Sequence, residues 1–344
     1  MNELITGIQQ VGIGVSDIDT AWDSYRSLFC MDVPVFDDEA EAGLMTRYTG
    51  GETHSRRALL AMNMNGGGGF EIWQFKSRTP ESAGFTIQTG DLGINSVKIK
   101  CRDIDKAHQE IGELAGPIFY APDGSRHFLI QDSYQNLFQV VEGKSWFRKN
   151  SQPLGGVCGV TLGVSDIDKA LPLYKSVLQF DEIIFDETGH FSDLGDSFEG
   201  RRVLIRKKQA RKGAFCRLFG HVDIELIQVQ NRKPRKIYEN RFWGDPGFIH
   251  VCFDVNDMDQ LKKACAENGY QFTVDSDSSF DMGEAAGRFS YIEDPDGTLI
   301  EFVNTHKLPI MKKWGLYLNL RKRKEQKPLP DWMLKSLSFN RVSG

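Results

Sequence analysis

The chain has 344 residues, with 42 Lys+Arg against 47 Asp+Glu and 40% apolar content. That is enough for two domains with proper cores, and it excludes wholesale disorder. From Thr305 onward, ten Lys/Arg against Glu325 and Asp331 give the tail +8, so the preceding residues carry −13, which argues against a body that grips nucleic-acid phosphates. Six cysteines without a C-x-x-C pair suggest neither a disulfide framework nor a zinc knuckle. The first residues lack the basic and apolar regions of an export signal, and no window approaches ~18 uninterrupted apolar residues, so a cytoplasmic protein with no membrane span is expected.

In chain order, the first predicted strand alternates Val11, Ile13 and Val15. A helix follows, with Ser16 placed to cap it, Asp19 three residues on, and an apolar stripe of Ile18, Trp22, Tyr25 and Phe29. Strands are predicted over residues 57–63 and 70–75. Gly66 to Gly69 lies between them and reads as a flexible hairpin connection, because no Lys-Ser/Thr follows to make a phosphate cradle. A second strand–helix unit passes through Asp103.

The third unit repeats the first, with Ser165, Asp168 and the stripe Ile167, Leu171, Tyr174 and Leu178, and Pro172 predicts a kink or late start. Strands are predicted over 202–206, 214–219 and 222–229, and the basic run Arg201 to Lys212 reads as a solvated hairpin. The fourth unit opens on Val251, Phe253 and Val255 before Asp257. In the tail, Asp331 is placed to cap a short helix ending near Phe339. That segment is expected to pack on its own domains or on a second subunit, which allows a homodimer.

Residues 7–19 match 156–168 at an offset of 149, while Phe70 to Phe75 and Gly90 to Val97 match Ile224 to Val229 and Gly244 to Val251 at 154. The chain therefore reads as two tandem copies, each holding two β-α-β-β-β units. Arg78 and Arg232 recur in register and are expected to brace their loops.

The segments Val11 to Asp19, Val160 to Asp168, Gly247 to Asp257 and Asp294-Pro-Asp-Gly-Thr-Leu-Ile-Glu-Phe302 resemble the vicinal oxygen chelate superfamily. That superfamily includes glyoxalase I, bleomycin-resistance proteins, methylmalonyl-CoA epimerases and extradiol dioxygenases. The resemblance implies an α+β fold of two tandem glyoxalase-like domains, 1–146 and 152–304, each a pair of βαβββ modules forming a half-open barrel, followed by a basic extension over 305–344. It also implies one divalent metal (Zn, Ni, Co, Mn or Fe(II)) held by ligands from the first and last strand of each module.

Carried over residue by residue, the slots of the second copy fall on Gly159, Glu225, His250 and Glu301, three of them competent ligands. Those of the first copy fall on Gln10, Glu71, Ser96 and Gln139, where no metal is expected. Strand alternation puts His221 and Asp223 on the face of Glu225, and Cys252 and Asp254 on that of His250. His190 and Phe191 fall where the family varies its covering loops. With Glu225, His250 and Glu301 as ligands, the implied chemistry is enolisation of a small substrate chelated through vicinal oxygens, with Glu225 or Glu301 as base. The alternatives are a metal-free ligand-binding protein of bleomycin-resistance type and a ring-cleaving dioxygenase with altered ligands.

Overall fold

The structure is a computed structural model, and it describes residues 3–276, 286–311, 315–320 and 326–342. Of the basic tail residues, Lys312, Lys313 and Arg321 to Lys324 lie outside the described residues, as does Trp314.

Module 1 is β1 (Ile5–Gly14), α1 (Ile18–Phe29), β2 (Val33–Glu41), β3 (Ser55–Met62) and β4 (Gly69–Phe75). Module 2 is β5 (Gly93–Cys101), α2 (Ile104–Ile111), β6 (Phe119–Tyr120), β7 (Arg126–Gln131) and β8 (Leu137–Glu142). Module 3 is β9 (Leu154–Gly163), α3 (Ile167–Pro172), β10 (Glu182–His190), β11 (Glu199–Lys207), α4 (Cys216–Phe219) and β12 (Val222–Val229). Module 4 is β13 (Gly247–Val255), α5 (Met258–Glu267), β14 (Val274–Asp275), β15 (Ala286–Glu293) and β16 (Leu299–Met311); β17 (Leu316–Asn319) and α6 (Asp331–Ser336) follow.

The first helix of each module starts on the aspartate of the repeated motif, which in modules 1 and 3 takes the place expected for the preceding serine. The Asp17, Asp103, Asp166 and Asp257 carboxylates accept from the amides of Thr20, Lys106, Lys169 and Gln260 at 2.8, 3.0, 3.2 and 3.0 Å. Ser16 thus stands one residue outside the turn. Pro172 ends α3, and a π-type turn carries the chain on from Leu173 to Val177. The predicted strand over 214–219 is instead the short helix α4. Gly213 and Gly220 bracket it at φ +109° and +76°, and Phe215, Leu218 and Phe219 fall on one buried face at helical spacing.

The strands form two curled half-barrel sheets. One runs β14-β15-β16-β13-β1-β4-β3-β2, with β17 added beside β16; the other runs β10-β11-β12-β9-β5-β8-β7-β6. Four modules and two half-barrels are present as expected, but the partners are exchanged. Module 1 joins module 4 through antiparallel β1 and β13, and module 2 joins module 3 through β5 and β9. The partition 1–146 and 152–304 follows the sequence repeat; the sheets follow another. Periodicity specifies which face of a strand is buried, but identical module edges leave open which neighbour they meet.

The Gly66 to Gly69 segment is no free hairpin. Its backbone pairs with β9, where Gly68 N donates to Val157 O at 2.8 Å and Gly156 N to Gly66 O at 2.8 Å. One continuous core takes residues from both sheets and from α1, α2, α3 and α5. A second apolar cluster lines the concave face of the module 1/4 barrel and includes Leu329, Leu334 and Leu337, so the described tail packs on its own domains.

Candidate metal centre

The floor of the module 1/4 barrel is built by its four central strands. The register sets Gly12 of β1 against both His250 of β13 and Glu71 of β4, and Cys252 of β13 against both Gln10 of β1 and Glu301 of β16. The outcome is a cluster of Glu71, His250 and Glu301 whose ligand atoms lie within 4.8 Å of one another. His250 Nε2 is 3.2 Å from Glu71 Oε2 and 3.0 Å from Glu301 Oε2, and Gln10 Nε2 is 3.3 and 3.4 Å from the same two oxygens. Gly12 makes room for the imidazole, since a Cβ there would lie 2.4 Å from His250 Cε1. Trp243 stacks on His250 with centroids 6.4 Å apart, and Tyr291 meets the ring edge-on at 5.5 Å.

These donors fit a divalent cation. His250 is fully buried, yet neither ring nitrogen makes a hydrogen bond of good geometry, and Gln10 Oε1 is also buried without a partner. Rotating the Gln10 amide would aim that oxygen at two carboxylates, an arrangement that only a cation at the centre would stabilise. Burial works to lower the His250 pKa, but Glu301 and Glu71 outweigh it and hold the imidazolium up to about 10, so the pocket demands positive charge. Imidazole, two carboxylates and an amide suit Zn, Ni, Co, Mn or Fe(II), with positions left for substrate oxygens.

Glu225, expected in this group, lies in the other barrel. It is buried between Lys98 Nζ at 2.7 Å and Arg202 at 2.7 Å. Burial alone would raise its pKa, but Arg202 and Lys98 outweigh that and hold the carboxyl well below the usual range. The remaining slots of that barrel hold Ser96, Gln139 and Gly159, and Lys98 Nζ also reaches Gln139. Gly159 leaves the space this lysine fills, since a Cβ there would sit 3.0 Å from Lys98 Cδ. An ammonium therefore sits among the slot residues of this barrel, where the other barrel places the His250 imidazole between two carboxylates.

Most of the other expected pocket residues disperse. Asp223 pairs with Arg206 at 2.7 Å, and the His221 backbone amide donates to Ser145 Oγ at 2.9 Å. Cys252 is the exception, buried beside Glu301 with its Sγ 3.9 Å from Gln9 Oε1, whereas the exposed His190 contacts Asp196 O at 2.6 Å and the Phe191 ring lies 5.0 Å from the Arg202 guanidinium. The run Arg201 to Lys212 is not uniformly solvated, because Arg202 and Lys207 are buried and Arg201 pairs with Asp186 and Asp168. Arg78 and Arg232 do brace loops, on Asp245 and Asp91 respectively.

The sequence-based grouping missed Gln10 and Glu71 as partners of His250 and Glu301. The signal was present, because modules 1 and 4 together supply Gln, Glu, His and Glu, whereas modules 2 and 3 supply Ser, Gln, Gly and Glu.

Above the centre opens a cavity of about 470 Å³ with Glu71 and Glu301 at its base. Its walls are apolar, among them Phe36, Met62, Trp73, Phe219, Phe289 and Leu337. Its two arginines are already committed, Arg56 to Asp38 at 3.0 Å and Arg288 to Asp275 at 2.8 Å.

Residues 158–291 match the family described as the glyoxalase/bleomycin resistance protein/dioxygenase superfamily. No curated protein matches the chain by sequence. Among solved structures, a Bacillus subtilis "putative dioxygenase" is similar at 16% identity and a TM-score of 0.58, covering 88% of this chain and 86% of that one. Glyoxalase I from Zea mays is similar at 14% identity and a TM-score of 0.51, covering 87% of this chain and 92% of that one. No helix among the described residues is long and apolar enough to cross a membrane. Residues 158–291 thus carry the match to the glyoxalase/bleomycin resistance protein/dioxygenase superfamily, and the chain shares the fold of these solved structures.

Proposed function

We propose that the chain is a metal-dependent enzyme of this superfamily that enolises a small, largely apolar substrate bound through two vicinal oxygens. The observation that carries the reading is the convergence of Glu71, His250 and Glu301, with Gln10 beside them, on the floor of a single apolar cavity. When bound, a divalent ion supplies Lewis-acid polarisation of the two oxygens.

The chain's own residues do the rest. Glu71 and Glu301 flank His250 and open on the cavity, so one carboxylate can take a proton from a substrate carbon and the other return it to the neighbouring carbon. The phenylalanine and tryptophan walls exclude water from the exchange, and Trp243 and Tyr291 fix the imidazole plane. Because Arg56 and Arg288 are spent on aspartates, the cavity offers no free cation among the described residues to a charged substrate body.

A ring-cleaving oxygenase needs two histidines and a carboxylate, and this centre has one imidazole. The test is reconstitution of the full chain with Zn, Ni, Co, Mn or Fe(II). One ion per chain, lost in His250→Ala, is the expected result, together with metal-dependent deuterium uptake at the carbon next to a carbonyl of an apolar α-hydroxyketone. Failure of every metal to bind stoichiometrically overturns the reading.

A further inference from the structure

A second cavity, of about 370 Å³, lies on the other side of Trp243, where the module 1/4 sheet meets the strand β5 of the other sheet. Its charged lining is Arg47, Lys236 and Arg241 against the single acid Asp296. Asp296 already accepts from the Ser165 amide at 2.8 Å. Arg241 is held by neutral acceptors, Ile237 O at 2.6 Å and Pro246 O at 2.8 Å, so its charge is not balanced by a carboxylate. Arg47 has only a long contact to Glu293, at 3.5 Å, and Lys236 forms no ion pair among the described residues. The Lys236 ammonium lies 3.6 Å from where a Cβ on Gly297 would stand, at the cavity wall.

The remaining walls hold five aromatic side chains, Tyr48, Tyr238, Phe242, Trp243 and Phe248, with aliphatic ones such as Leu92 and Ile249 between them. Trp243 is 8% exposed and its Nε1 has no hydrogen-bond partner, so a buried donor waits in a wall of this cavity.

We propose that this second cavity binds a small aromatic oxyanion, its ring lying among the aromatic side chains and its carboxylate or phosphate facing Lys236, Arg47 and Arg241. Uncompensated cations above aromatic walls favour that ligand over a neutral or cationic one. Trp243 is a wall of both cavities and is stacked on His250, so an occupant here presses on the ring that sets the imidazole plane. The inference stands on this cavity alone and does not depend on the reading of the first.

The test is calorimetric titration of the full chain with 1-naphthoate, and with 1-naphthol as the uncharged control, at low and high salt. Lys236→Glu is the variant, because the side chain is exposed and makes no ion pair, and its melting curve checks the fold. One saturable naphthoate site is expected, weakened at least fivefold by Lys236→Glu and by salt, with naphthol insensitive to the substitution. Naphthoate should also quench tryptophan emission in the parent chain but not in Trp243→Phe. No saturable binding at millimolar naphthoate, or binding unchanged by Lys236→Glu, overturns the proposal.

Discussion

Two glutamates at equivalent strand positions have opposite fates. Glu71 faces an imidazole and a second carboxylate, whereas Glu225 faces Lys98 and Arg202. Glu225→Gln leaves two buried cations facing a neutral amide, so it should cost about 3–5 kcal/mol by denaturant unfolding while metal stoichiometry stays at one per chain. Gly12→Ala should do the reverse, displacing His250 and weakening metal affinity roughly tenfold or more with little change in the fold, as read by competition with a chelator.

Asp254 supplies a pH dependence. Burial pushes its carboxyl up to about 7 despite hydrogen bonds from Thr6 and Gln9. In the fold it stays protonated to about that pH, while in the unfolded chain it ionises near 4, so the unfolded state sheds the proton first and stability falls as pH rises between those values. Asp254→Asn should remove that fall and raise stability at pH 8 by about 1–2 kcal/mol, measured by urea midpoints at pH 5 and 8.

Among the elements, what could be foreseen depended on whether local pattern decided the outcome. The apolar stripe of α1 and the break at Pro172 follow from side-chain spacing and a missing amide donor, and both are present. The cap moved by one residue because aspartate, like serine, can accept from the amide three positions on, and the sequence offered both in succession. Residues 214–219 were misread because Ala, Phe and Leu suit either period, and the flanking positive-φ glycines are a matter of geometry rather than composition. The tail contributes Leu334, fully buried, and Leu337, a wall of the first cavity. Leu334→Asp would bury a carboxylate among these side chains, so it should release residues 326–342 and speed tryptic cleavage at Lys335 roughly tenfold or more.

For the whole molecule, the four modules were legible from the repeat, but the pairing that builds the centre was not. The residue types of His250 and Glu301 mark them as competent ligands, whereas Glu71 shares its copy of the repeat with Gln10, Ser96 and Gln139, which are not. The exchange of partners reunites Gln10 and Glu71 with residues about 180 to 290 positions away, a relation no local pattern carries. A fragment of residues 1–146 should therefore bind no stoichiometric metal, and neither should 152–344. Mixing the two should restore one site if the halves associate, as equilibrium dialysis would show.

The same exchange sets an order of events during synthesis. Modules 2 and 3 are neighbours in the chain and can close their barrel, with its internal ammonium, while the C-terminal third is still on the ribosome. Module 1, the first to emerge, must wait with the edge of β1 exposed until β13 and then β16 arrive. The nascent chain thus passes through a stage with one finished half and one unpaired sheet edge. Chaperone binding during translation should concentrate on that first module, and the binding centre should be the last part of the molecule to form.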